Sequence, residues 1–350
     1  MQNRRKFIGT ACSFTAVGLL PHAVWSHQKT LPTVSRLKPK CLKQGDTIGL
    51  IAPGYGISET ALLETQKNLG SMGLISFHTK RVQWKHGYFS NTDKERAADL
   101  MEMFANPNID GILCIRGGYG CTRILHLLDY TIIANNPKVL IGFSDVTALL
   151  NSIYQKTGLY TFHGPVGSTL DDAYSQQQLA QITMHPQPKQ LLQNANNLPH
   201  ELLEQPEYER YVITPGKAQG KLMGGNLSLI NALIGTPYEI DFTNSIVCIE
   251  DIEEAPYRID RMLTQLCANP TFIKASAIVF GVCAGCNTSS NPNSFTLKEV
   301  IMDRIQPLGI PAVYGMSFGH VTQNYTFPIG ASAILDTEKM QLQLLEKPVL

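Results

Sequence analysis

Val139-Leu140-Ile141-Gly142-Phe143-Ser144-Asp145-Val146-Thr147 decides the fold. Five apolar or glycine residues run without alternation, the pattern of a strand buried on both faces of a parallel sheet. The run breaks at Ser144-Asp145 into a helical stretch that continues to about Tyr154. Working outward, the same strand-to-helix unit repeats. Upstream, Gly111-Ile112-Leu113-Cys114-Ile115 is a second such strand and opens into Arg116-Gly117-Gly118-Tyr119-Gly120. Thr47 to Ala52 is a third, leaving the sheet through Pro53-Gly54. Between them, Ser58 is placed to cap a helix to about Met72, and Thr92-Asp93-Lys94-Glu95 has the spacing of a capping box. Repeated βα units predict a doubly wound parallel sheet over residues 42–167. In such sheets ligands bind outside the carboxyl ends of the strands, the edge that carries both the Arg-Gly-Gly-Tyr-Gly loop and Ser144.

Residues 168–215 are rich in Gln, Asn and Pro, lack sustained periodicity and read as a linker. From 216 to 338 the apolar runs shorten: Lys217–Leu222, Ser245–Ile249, Ala277–Phe280 and Ala312–Tyr314, with a helix over Tyr257–Leu266. The expected architecture is therefore α/β, an N-terminal doubly wound parallel-sheet domain followed by a smaller mixed α/β C-terminal domain.

Composition excludes several classes of function. Of 350 residues, 43% are hydrophobic, enough to bury a sizeable core, so wholesale disorder is excluded. Twenty-nine Lys and Arg against 28 Asp and Glu leave no basic excess for a phosphate backbone, which argues against nucleic-acid binding. No apolar run reaches 18 residues, so no membrane-spanning helix is expected. The first 26 residues read as an export signal: Arg4-Arg5-Lys6-Phe7-Ile8 is a twin-arginine pattern, and Ile8 to Leu20 is an apolar or small stretch of about 13 residues. The expectation is a periplasmic protein exported by the twin-arginine route. Cys283 and Cys286 form a lone C-x-x-C without the second tight pair that a zinc site needs, so no metal and no cofactor is expected.

Ser144 is the sharpest candidate for chemistry. A serine on a tight turn between a buried strand and a helix exposes its hydroxyl and aims backbone N–H groups at whatever it attacks. The G-x-S-x-G elbow is only half present, because Val146 stands where the second glycine would be, and serine is also an ordinary N-cap residue. Gly117 and Gly118 allow close backbone approach, so an amide of that pair and the amide of Asp145 can form an oxyanion hole; the spacing does not decide between the two glycines. Arg116, at a strand end, is suited to a substrate carboxylate. A serine needs a base and the base an orienting acceptor. His320, in a Gly-flanked loop, is the candidate base, with His163 in reserve, and Glu250-Asp251 places a carboxylate at the end of a strand.

These blocks, together with Pro137-Lys138, His163-Gly164-Pro165, Gly224-Gly225-Asn226-Leu227, Pro256-Tyr257-Arg258-Ile259-Asp260-Arg261 and Gly319-His320 with Asn324 and Pro328, resemble the LD-carboxypeptidase family of serine peptidases. The match runs in order from about residue 42 to 335. The resemblance implies a Ser-Glu-His triad with Ser144 as nucleophile, His320 as base and Glu250 orienting it. It further implies release of a terminal D-alanine from a murein tetrapeptide by cleavage of an L-to-D bond, and a homodimer. A related branch inactivates microcin C-type peptide-nucleotides and usually lacks the Arg-Gly-Gly-Tyr-Gly loop, so the murein branch is expected. Family members of cell-wall recycling usually act in the cytoplasm, and the export signal departs from that. The rival from another class is a periplasmic solute-binding protein with two α/β domains, a cleft and no turnover.

Overall fold

The structure is a computed structural model and describes residues 36–196 and 198–350. The expected export signal, residues 1–26, lies outside the described residues. Among the described residues fourteen strands form two sheets. In chain order they are β1 (Thr47–Ile51), β2 (Ile75–Phe77), β3 (Gly111–Cys114), β4 (Val139–Gly142), β5 (Thr161–His163), β6 (Leu191–Leu192), β7 (Tyr211–Thr214), β8 (Lys217–Asn226), β9 (Ser245–Glu250), β10 (Ala277–Val282), β11 (Ala312–Gly319), β12 (Phe327–Ile329), β13 (Ser332–Asp336) and β14 (Gln341–Leu344).

The first sheet has the order β12-β5-β4-β3-β1-β2. All its neighbours are parallel except β12, which runs antiparallel to β5. The order 2-1-3-4-5 is that of a doubly wound sheet, with its topological switch between β1 and β3. β3 and β4 are buried at every position, as their unbroken apolar runs predict. Ser58 and Thr92 cap the helices Glu59–Ser71 and Asp93–Ala105, each side chain accepting a backbone N–H three residues on. Only half of the expected capping box forms at Thr92, whose own N–H donates to Asn91 Oδ1. Glu95 turns instead toward Arg81, at 3.9 Å.

The second sheet has eight strands in the order β6-β14-β13-β8-β9-β10-β11-β7. Its four central strands are parallel and its outer strands antiparallel. It carries more strands than the first sheet because segments outside 216–338 join it. The stretch 168–215, read as a linker, supplies both edge strands, β6 and β7, as well as the helix Ala173–Thr183. Edge strands of two and four residues are too short to leave a period in the sequence. β12 crosses the other way: it follows His320 in the chain yet closes the first sheet beside β5.

Two buried polar side chains of the helix Thr147–Thr157 join the sheets. Asn151 donates to the Gly224 carbonyl at 2.8 Å and accepts the Gly224 N–H at 3.0 Å. Thr147 Oγ1 accepts the Asn226 N–H at 3.0 Å. The helix that follows Ser144 is thereby tied to the end of β8, whose register partner at Asn226 is Glu250. Asn151→Ala deprives both Gly224 groups of their side-chain partner, and a loss of about 2–4 kcal/mol is expected. Urea unfolding with an unchanged m-value measures it; a shift below about 0.5 kcal/mol would show that the seam is held elsewhere.

Candidate active site

Ser144 stands one residue, Phe143, beyond the end of β4, at the start of a single 3-10 turn, Ser144–Val146, that leads into the helix Thr147–Thr157. Its φ is +61°, a left-handed conformation that a non-glycine residue adopts only when the surroundings enforce it. Val146 does part of the enforcing. It packs over Gly142 so closely that a Cβ there would lie 2.8 Å from Val146 Cγ1. The elbow therefore closes with glycine two residues before the serine and valine two residues after it.

Two strand ends of the second sheet bring their side chains to this turn. Glu250 is the last residue of β9 and has no exposed surface. His320 follows the last residue of β11, Gly319, whose φ of +110° bends the chain toward Glu250; a Cβ on Gly319 would lie 2.9 Å from Glu250 Oε2. The three side chains, spread over 176 positions of sequence, form one hydrogen-bonded line: His320 Nδ1 to Glu250 Oε2 at 2.7 Å and His320 Nε2 to Ser144 Oγ at 3.1 Å. Ser144 and His320 remain partly exposed, so the open end of the line is accessible while the carboxylate is not.

The electrostatics follow from that burial. Desolvation pushes the Glu250 carboxyl up, but the His320 charge and hydrogen bond outweigh it and hold the group below its usual range. For His320 desolvation pulls down, and the Glu250 charge and hydrogen bond prevail and raise it above the ordinary imidazole value. The neighbouring carboxylate of Asp251 serves the backbone. It accepts from Asn226 Nδ2 at 3.1 Å and from the Ser228 N–H and hydroxyl at 3.0 and 2.9 Å, and burial pushes it up to about 6.

The Arg-Gly-Gly-Tyr-Gly loop meets the turn through Gly117. A Cβ on Gly117 would lie 2.9 Å from Ser144 Cβ, whereas one on Gly118 would strike Tyr55. Among the described residues, neither the Gly117 nor the Gly118 N–H is taken up by an acceptor. The buried Asp145 side chain fixes the loop from below, Oδ2 accepting the Cys121 N–H at 2.9 Å. Sequence reasoning used only the Asp145 amide and missed this carboxylate, as it missed Asn151 and Thr147; a polar residue on an otherwise apolar helix face is the signal for the last two. Arg116 is exposed, its guanidinium 4.6 Å from the Tyr55 ring centroid, and it has no carboxylate partner among the described residues. His163 is wholly buried, and among the described residues its ring nitrogens bond to nothing, Ser144 included.

Other places offer less. Among the described residues no three His, Cys, Asp or Glu side chains are gathered as a metal site, and no helix is long and apolar enough to cross a membrane. Cys283 and Cys286 are buried free thiols. A cavity of about 560 Å³ opens at the amino ends of β1, β3 and β4, beside Asp46, Asp110 and Lys138; of the blocks quoted from sequence only Pro137-Lys138 lines it, and none of the candidate site residues does.

Glu250 is the foremost of the carboxylates that make His320 a basic imidazole, ahead of Asp251 and Glu253. In Glu250→Gln the charge is gone and burial remains, so the NMR titration midpoint of His320 is expected to fall by at least about one pH unit. An unmoved midpoint would show that Glu250 does not set it.

The chain matches two family models, described as LD-carboxypeptidase N-terminal domain over residues 48–164 and LD-carboxypeptidase C-terminal domain over residues 219–335. It is 40% identical over 303 residues to a probable murein peptide carboxypeptidase of Bacillus subtilis, covering 86% of this chain and 92% of that protein. Among solved structures, MccF in complex with glutamyl sulfamoyl guanosine superposes with a TM-score of 0.80 at 26% identity, covering 90% of this chain and all of the other. The muramoyltetrapeptide carboxypeptidase of Oxalobacter formigenes gives a TM-score of 0.72 at 29% identity, with 85% and 97% covered. The chain belongs to the LD-carboxypeptidase family and is a peptidase.

Proposed function

We propose that this peptidase is a serine LD-carboxypeptidase that releases the terminal D-alanine of murein tetrapeptides. The observation that carries the reading is the continuous line from Ser144 Oγ through His320 to Glu250. His320 Nε2 takes the hydroxyl proton as Ser144 Oγ attacks the carbonyl of the L-to-D bond, and Glu250 stabilises the imidazolium that results. The Asp145 amide and one amide of Gly117-Gly118 hold the oxyanion. His320 then returns its proton to the departing amine of D-alanine, and water, activated the same way, frees the shortened peptide from Ser144. Arg116 receives the terminal carboxylate, for which its exposed and unpaired guanidinium is suited.

The murein substrate is favoured by the similarity to the Bacillus subtilis protein, higher than that to MccF, and by the Arg116–Gly120 loop. Following Arg4-Arg5, the proposal places the enzyme in the periplasm, by twin-arginine export, acting as a homodimer on muropeptides.

Ser144→Ala should lower kcat for D-alanine release from an L-lysyl-D-alanine tetrapeptide by at least about 10⁴-fold; near-normal turnover excludes the nucleophile. Tight peptide binding by the wild-type protein without any release would instead mark a passive receptor. Because the base must be neutral and its proton affinity is raised, kcat/KM should fall as pH drops through a midpoint above the ordinary imidazole value of about 6.5. Arg116→Ala should lower kcat/KM about 10–100-fold for a peptide with a free terminal carboxylate, and much less for the terminal amide. Equal losses on both peptides would remove Arg116 from the carboxylate site.

A further inference from the structure

Behind the Ser144–His320–Glu250 line stands a fourth titratable side chain. His163 ends β5, fully buried, and its ring stacks on Phe327 with centroids 4.5 Å apart and planes 16° from parallel. It meets Phe143 and Phe318 edge-on, each at 6.0 Å. Phe143 packs against His320 as well, at 4.8 Å, so one phenyl ring lies against both imidazoles. On the side of the second sheet, a Cβ at Gly225 would come within 3.1 Å of His163 Cδ2, and the next residue, Asn226, is in register with Glu250. The charged groups that face His163 are Glu250 and His320; its aromatic neighbours bring none. Burial holds the imidazole down at about 4, so at neutral pH the ring is uncharged, with one N–H donor and one acceptor nitrogen.

Several buried polar atoms here find no hydrogen-bond partner among the described residues: both His163 ring nitrogens, Glu250 Oε1 and Thr326 Oγ1. Thr326 precedes the register partner of His163 on β12 and packs against Gly164. Buried polar atoms are satisfied as a rule, and a water with two to four polar partners is what ordinarily satisfies such a group. The neighbours supply a donor, a carboxylate oxygen and a hydroxyl.

We propose that His163 is a positioning residue: its ring N–H, through one buried water shared with Glu250 Oε1, holds the carboxylate so that its other oxygen stays aimed at His320 Nδ1. This rests on the reading of Ser144, His320 and Glu250 given above. The sign of its effect follows from charge. The water donates to an anion and so stabilises the state in which Glu250 is ionised and His320 neutral. Without it that state is less favoured, and His320 keeps its proton to higher pH.

The test compares two variants with wild type on the tetrapeptide. His163→Phe keeps the stack and removes the nitrogens. It should lower kcat about tenfold, leave KM within about twofold and move the acid limb of kcat/KM up by about one pH unit. His163→Gln can still hold the water and should restore most of both. A folded His163→Phe protein with wild-type kcat and acid limb overturns the proposal, as does a His163→Gln protein no better than His163→Phe. Should His163→Phe fail to fold, a high-resolution crystal structure of the wild-type protein decides: an ordered water bonded to both His163 and Glu250 Oε1 supports the role, and none there ends it. Ser144→Ala, assayed alongside, separates the two readings. If it retains turnover the triad reading falls and takes this one with it; if it is inactive while His163→Phe is normal, only the role of His163 falls.

Discussion

A carboxylate with no exposed surface must find its compensation inside the protein, since burying an unpaired charge is among the most destabilising things a fold can do. Glu250 is that group, and the site is arranged around it. Among the described residues its hydrogen-bond partner for Oε2 is His320, reached because Gly319 bends the end of β11 toward the end of β9. The imidazole, held at one nitrogen, presents the other to Ser144, which comes from the first sheet. The same pairing that makes the buried charge tolerable also raises the proton affinity of the imidazole and fixes which nitrogen faces the hydroxyl. Removing Glu250 would therefore alter both the tautomer and the basicity of His320.

Such a line works only if the two sheets keep their distance and angle, and the structure holds them with backbone-directed hydrogen bonds. Thr147, the first residue of the helix after the serine, and Asn151, one turn further on, grip the end of β8, and Asp251 grips the next turn through Asn226 and Ser228. β12, carried over from the second half of the chain, closes the first sheet. This rigidity sustains the left-handed backbone at Ser144, a conformation that costs of order 1–3 kcal/mol and persists where the surroundings over-determine it.

Much of the frame was legible because parallel strands buried on both faces write themselves as unbroken apolar runs. β1, β3, β4, β9 and β10 begin where those runs begin. Ser144, read on a strand-to-helix turn, Glu250, read at a strand end, and His320, read in a Gly-flanked loop, are brought together in the structure, and the half-formed elbow motif resolves once Val146 is seen to pack over Gly142. The edge strands were not legible: β6 has two residues and β7 four, and their partners, β14 and β11, lie about 150 and about 100 residues away. Nor was the role of Asp145, whose carboxylate acts on a loop 24 positions earlier, since hydrogen bonds across sequence leave no local pattern. The Thr92 box failed by half for the same reason, Arg81 competing for Glu95 from outside the helix.

The most direct test of the central idea, that Ser144 is made nucleophilic by His320, is covalent trapping. The protein is treated with a diphenyl α-aminophosphonate bearing an L-lysine side chain, and the adduct is mapped by peptide mass spectrometry. One adduct is expected, on Ser144, forming at least about 10³-fold more slowly in His320→Ala. Modification of another side chain, or of Ser144 at an undiminished rate without the imidazole, would contradict it.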